Sequence, residues 1–147
     1  MERIEVTFKK LVPEATIPIR AYDTDAGFDI KITSIKHERS KGLFTAGTGL
    51  AINIPKGFVG LLFPRSSICK TRLILSNAVG VIDSGYIGEI MSVFNLMDNK
   101  SNVVYNIGDR ALQLIIMPLI ANIEFKEVTE FSVEGERGSN GFGSTGV

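Results

Sequence analysis

Apolar residues along this chain recur with period two far more often than with helical spacing. Ile4, Val6 and Phe8 make one alternating run, Leu50, Ile52 and Ile54 a second, and Val103, Tyr105 and Ile107 a third, each bounded by Gly, Pro, Asn or Asp. Successive strand side chains point to opposite faces, so these runs predict strands with one face on a core. Phe58 to Phe63, Ile90 to Leu96 and Leu112 to Ile120 are more continuously apolar. They predict strands buried on both faces, in a sandwich or at a subunit contact. The one segment that reads as a helix is short, around Ser66 to Arg72, with a serine available to cap it. Short strands at close spacing, with turn signals between them, predict an all-β sandwich, jelly roll or barrel.

Composition narrows this picture. A chain of 147 residues fits one domain whose core needs no disulfide or structural metal. Lysine plus arginine and aspartate plus glutamate both number 16, so the net charge is zero and no basic excess points to duplex nucleic acid or an anionic membrane. A polyanionic ligand must therefore be bound locally. The longest apolar run, Leu112 to Ala121, contains Gln113 and Pro118 and is far shorter than the ~20 residues of a membrane helix. Met1 to Lys10 reads as a strand and lacks the apolar stretch of a signal peptide, which predicts an intracellular protein, cytoplasmic if bacterial. The single cysteine, Cys69, has no partner for an internal disulfide and is expected as a buried thiol. No GxxxxGK[ST] loop is present, and His37, the only histidine, lies in the charged stretch Lys36 to Lys41 and is given no role.

Five segments combine polar groups with glycine in ways a core strand does not need. In AGFDI, Ala26 to Ile30, Asp29 sits in an apolar strand start and by itself reads as a turn aspartate. In PRSSI, Pro64 to Ile68, an arginine and two hydroxyls arrive where a helix begins, the makings of an anion site. The run NAVGVIDSGYIGEI, Asn77 to Ile90, reads as a hairpin about an Asp-Ser-Gly turn, with Asp83 at the edge of an apolar strand. In GDRALQLI, Gly108 to Ile115, Asp109 and Arg110 read as a turn and an ion pair, and Gln113 is an amide in need of partners. The tail from Gly135 to Val147 holds five glycines, with Arg137 ahead of hydroxyls and Phe142 between two glycines. Taken alone it is a disordered end; its composition also suits a loop that closes over a phosphate and stacks on a base.

In this order the five segments resemble the five motifs of the homotrimeric dUTPase family, and the resemblance spans Ala26 to Gly146. It implies a distorted β jelly roll, or β-clip-like barrel, over residues 1–134 with one short helix. It also implies a flexible glycine-rich C-terminal arm over 135–147, and trimers whose active sites are each assembled from three subunits. The implied reaction is water attack on the α-phosphorus of dUTP, giving dUMP and pyrophosphate, which limits uracil in DNA and supplies dUMP for thymidylate synthesis. By the same resemblance, Asp83 orients and deprotonates the water and meets the 3′-hydroxyl, while Tyr86 packs on the deoxyribose and leaves no space for a 2′-hydroxyl. Asn77, Gly80, Val81, Ile82 and Met91 contact the nucleoside, the uracil edge being read by backbone groups and the Asn77 side chain. Arg65, Ser66, Ser67 and Gln113 hold the phosphate chain, with Arg65 and Gln113 counted with Asp83 as catalytic. From the arm, Arg137, Ser144 and Thr145 bind the γ end, Phe142 stacks on uracil and the Gly143 amide donates. Mg²⁺ accompanies the triphosphate, and Asp29 is its candidate contact through water.

Two other readings are weighed. A dCTP deaminase, or a bifunctional dCTP deaminase/dUTPase, shares the fold and the PRSS-like and GVID-like stretches, but its acid/base glutamate falls at Val93 here, and Lys70 stands where a structuring arginine is expected. A nucleotide-controlled binding partner would show an insertion outside the five motifs; only the charged stretch Lys36 to Lys41 offers itself, and it reads better as a solvated turn.

Overall fold

The computed structural model describes residues 3–98, 104–120 and 122–132. Its strands are β1 (Thr7–Lys10), β2 (Phe28–Lys31), β3 (Ser34–Glu38), β4 (Leu43–Asn53), β5 (Phe58–Pro64), β6 (Leu73–Leu75), β7 (Gly80–Ile82), β8 (Glu89–Leu96) and β9 (Arg110–Pro118). One antiparallel sheet runs β1-β4-β8-β6 with β3 also paired to β4, and the other runs β2-β9-β5-β7. Ile30, Leu62, Leu112 and Leu114 from the second sheet meet Phe44, Leu50, Ile52, Ile90 and Phe94 from the first in a single buried core. The all-β, jelly-roll-like architecture expected from the alternating runs is therefore present. No described helix is long and apolar enough to cross a membrane.

Several local expectations change. The run through Tyr105 and Ile107 forms no strand: Gly108, with φ 92°, turns the chain, and Asp109 Oδ2 accepts the Asn106 N–H at 2.8 Å. Alternation survives there without a ladder, with Tyr105 buried and Ile107 exposed. Within one chain β8 buries a single face: Ile90, Ser92 and Phe94 point inward while Met91 and Val93 are exposed, so burial of its second face is left to the subunit contact that the sequence also allowed. The expected helix is a 3-10 turn, Ser66–Lys70, and the residue before it is Arg65 in an extended conformation with no side-chain cap. The cap lies at the other end, where Thr71 Oγ1 donates to the Ile68 carbonyl at 2.8 Å. A second 3-10 turn, Arg39–Lys41, joins β3 to β4. Cys69, expected inside, is exposed on the 3-10 turn.

The largest difference concerns the stretch from Asn77 to Ile90. β7 pairs with β5 in one sheet, whereas β8 pairs with β4 and β6 in the other. The Asp-Ser-Gly segment is thus a crossover between sheets and not the turn of a hairpin. Gly85, at φ 87°, supplies the sharp change of direction, and the neighbouring apolar runs each find a better partner than one another.

Tyr105 ties this core to the 3-10 turn. Its ring lies 6.1 Å from that of Phe94, and its hydroxyl shares a 3.3 Å hydrogen bond with Ser67 Oγ. Burial pushes the phenol above its ordinary value of 10.0, with the Ser67 bond acting in the opposite direction. Above about pH 10 the folded chain therefore keeps a proton that the unfolded chain has lost, and stability falls as pH rises toward the higher folded value. The contribution is fully present below pH 10. Urea unfolding between pH 9 and 11 is expected to show this decline in the wild type and a shallower one in Tyr105→Phe.

Candidate functional site

Asp29 lies in the middle of β2 and is buried, which overturns its reading as a turn residue. A lone carboxylate in such a place would be expensive, and two guanidiniums meet it. Arg65 Nε stands 2.6 Å from Oδ1 and Arg110 Nη1 3.1 Å from Oδ2. Arg110 was expected to pair with Asp109, its neighbour in sequence. Instead Asp109 caps its own turn and Arg110 crosses to Asp29.

Strand register explains this meeting. Gln113 of β9 faces Asp29 of β2 on one side and Phe63 of β5 on the other. Arg65, two residues beyond Phe63, thus arrives on the same face, and its N–H donates to the Ala111 carbonyl at 3.0 Å. Arg110 is three residues from Gln113 and would point the other way on a regular strand. A bulge between Ile30 and Lys31 shifts the pairing so that Lys31 faces Arg110, which returns Arg110 to the face of Asp29. The extra residue, Ala111, is fully buried beside Leu112.

The amide of Gln113 donates from Nε2 to the Pro64 carbonyl at 3.1 Å. Its Oε1 lies where a Cβ on Gly27 would come within 2.8 Å, so the glycine of AGFDI gives the amide its room. Ser66, Arg65, Asp29 and Gln113 border one cavity of about 280 Å³ together with Asp25 and Gly27. An adjoining hollow of about 330 Å³ is lined by Arg65, Ser67, Lys70, Tyr105, Asp109 and Arg110. Asp29 takes up part of the charge of Arg65 and Arg110, and the N–H groups it leaves over, with the Lys70 ammonium, are the donors this hollow offers an anion.

A second constellation forms where β6 ends. Asn77, Gly80 and Met91 line a cavity of about 250 Å³ whose floor is Leu62 and Leu75. Ala78 turns the chain here with φ 59°, the one positive φ at a described residue other than glycine, at a cost of about 1 kcal/mol. Val81, 62 % exposed, and Ile82 follow on β7, beside β5. The crossover then presents Asp83, which is exposed and makes no side-chain hydrogen bond or ion pair to a described residue. Tyr86 folds back over Gly88, where a Cβ would come within 2.7 Å of Cζ, and its hydroxyl donates to the Glu89 carbonyl at 3.1 Å.

The predicted residues thus fall into an anion site, a cavity and an exposed crossover. Arg137, Phe142, Gly143, Ser144 and Thr145 lie outside the described residues. The contributions of Arg110 and Tyr105 escaped the sequence reading. The GDR triplet contains Arg110, but its neighbour Asp109 offered a nearer partner, and nothing in the sequence announces a bulge. Among the described residues no group of three or more His, Cys, Asp or Glu side chains is placed to hold a metal ion.

Comparison with known proteins places the chain in a family. The family model described as dUTPase matches residues 13–146. The deoxyuridine 5'-triphosphate nucleotidohydrolase of Corynebacterium diphtheriae is 38% identical over 97% of this chain and 93% of its own length. That of Rhodococcus erythropolis is 34% identical over 99% of this chain and 88% of its own. Among solved structures, the dUTPase of Staphylococcus bacteriophage 80alpha with dUPNHPP superposes with a TM-score of 0.77 at 29% identity, covering 97% of this chain and 99% of that one. A mutant dUTPase of S. aureus phage phi11, described with a structural Mg(II) ion, gives 0.71 at 28% identity over 88% of this chain and 100% of that one. With a matching family model over most of its length and relatives above 30% identity along nearly all of it, this chain belongs to the dUTPase family.

Proposed function

We propose that this chain hydrolyses dUTP to dUMP and pyrophosphate, as a cytoplasmic homotrimer, with Asp83 orienting and deprotonating the water that attacks the α-phosphorus. The observation that carries the reading is the pair of guanidiniums aligned by buried Asp29 beside Ser66 and Gln113, in a chain of this family. Displacement at phosphorus asks for placement and for stabilisation of charge on the phosphoryl oxygens. Arg65 gives only part of its fork to Asp29, so its other N–H groups are free to turn toward phosphate oxygens. Ser66, Ser67 and Gln113 supply shorter-range donors, and the hydroxyl of Ser67 is steadied by Tyr105.

The cavity of Asn77, Gly80 and Met91 takes the uracil ring, with Val81 and Ile82 bordering the nucleoside and Tyr86 under the deoxyribose. Discrimination then rests on hydrogen bonds to the base edge and on the absence of room for a methyl or a 2′-hydroxyl. Exposed apolar side chains on one face of β8, Met91 and Val93, together with Ile74 and Val81, support burial between subunits. A trimer would also bring a neighbour's phosphate site to the partnerless Asp83. Residues 135–147 act as an arm over the site, with Arg137, Ser144 and Thr145 on the γ end, Phe142 over the base and the Gly143 amide as donor.

The described side chains form no cage for a resident metal, and both Asp29 oxygens are engaged by arginines. In this reading Mg²⁺ comes with the triphosphate, whose oxygens it holds and whose charge it offsets. Asp29 reaches its water shell only through lone pairs that the arginines leave open. Deamination of dCTP is not favoured: Val93 is apolar and exposed, and Glu89 spends Oε1 on the Gly49 N–H at 2.8 Å.

Three outcomes test these assignments by pyrophosphate release from dUTP with Mg²⁺. Asp83→Asn is expected to lower kcat about 10²-fold or more while dUTP still binds, as removal of a general base should. A chain ending at Glu134 is expected to lose about 10²-fold in kcat/KM and to keep the melting temperature of the full chain. Asp29→Asn is expected to cost about tenfold in kcat/KM and about 1–2 kcal/mol in urea unfolding, less than a fully buried pair because both arginines are partly exposed. Full activity in Asp83→Asn would remove it as the base.

A further inference from the structure

Ser92 is 5 % exposed, and its Oγ is, among the described residues, the one buried side-chain polar atom without a hydrogen-bond partner. A hydroxyl shut away from water with no partner lowers stability. Thr48, the other buried hydroxyl on these strands, is satisfied by the Ile90 carbonyl at 2.7 Å. Packing gives no reason for the oxygen: Ser92 sits between Ile90 and Phe94 on the inner face of β8, opposite Ala46 of β4. A methyl group would fill that position.

The location of Ser92 supplies a reason. β6 pairs with β8 as far as Leu75 and Phe94, and the Ser76 N–H extends the ladder by one bond, 2.9 Å, to the Val93 carbonyl. Beyond Ser76 the chain leaves for β7 in the other sheet, so β8 loses its neighbour at Ser92. The gap is the cavity of about 250 Å³ that Ser92 lines with Asn77, Gly80 and Met91.

We infer that Ser92 is a specificity-determining residue whose hydroxyl, turned about χ1, hydrogen-bonds a polar edge atom of the pyrimidine base directly or through one water. The inference rests on the reading of this cavity as the base site. Movement between staggered wells needs no backbone change, and a hydroxyl both donates and accepts, which suits an edge where carbonyl and imide groups alternate. The unliganded fold bears the cost of the unpaired oxygen, and base binding removes it.

Removing the hydroxyl should therefore act in opposite directions on fold and ligand. Ser92→Ala is expected to raise the melting temperature of the unliganded protein by about 2 °C. It is also expected to raise KM for dUTP and Kd for dUMP about fivefold, the factor carried by one neutral hydrogen bond. Turnover at saturation and the Kd of an abasic deoxyribose 5′-triphosphate should stay as in the wild type. An unchanged Kd for dUMP overturns the inference even if the protein is stabilised, and so does an equal loss of affinity for the abasic ligand. A lowered melting temperature removes the stored cost and overturns it as well. Failure of the wild type to hydrolyse dUTP, read in the same assay, would instead bring down the underlying assignment of the cavity.

Discussion

The carboxylate of Asp29 is the constraint on which the site depends. Desolvation of such a group costs several kcal/mol unless opposite charge and hydrogen bonds accompany it. Arg65 and Arg110 provide both, from the end of β5 and the start of β9. Because they share one acceptor, the two guanidiniums are fixed relative to each other before any ligand arrives. Three strands therefore have to be in register for the charge to be tolerated, and the bulge in β9 is what brings the second arginine round. A preformed cluster of cations is what a triphosphate needs, since none of the binding free energy is then spent on gathering like charges.

The jelly roll separates this anion site from the cavity at the end of β6 and links them through β5. That strand pairs with β7 along Gly60 to Leu62, beside the cavity, and ends at Pro64, one residue before Arg65. The cavity and the anion site are thus held at a fixed spacing within each chain by one strand, which suits sites where small misplacements are costly. The surroundings of the cavity hold two local costs: the left-handed Ala78 and the unpaired hydroxyl of Ser92. Both lie where β6 parts from β8, and costs of this kind gather at functional sites.

Much of this was legible in the chain. Period-two alternation was enough for the end of β4, through Leu50 and Ile52, because both side chains pack into the core between the sheets. The five segments, read as a set, identified the family and the residues to look for. Tyr105 and Ile107 alternate equally well yet form no strand, since alternation reports which face is buried and not whether a neighbour offers backbone hydrogen bonds. The serine expected to cap the helix does not, because in a single 3-10 turn Arg65 occupies the cap position and is held by Asp29 instead.

The sequence by itself determined the class of fold, the polar groups available for chemistry and their order, because these follow from side-chain type and local periodicity. Only the tertiary structure decided which groups meet. Asp29 and Arg110 are 81 residues apart, and their contact depends on a one-residue bulge that no local pattern encodes. The run from Asn77 to Ile90 became a bridge between sheets because β5 and β4 were better partners for its strands than they were for each other. Pairing is a competition among all strands, and its outcome belongs to the whole fold.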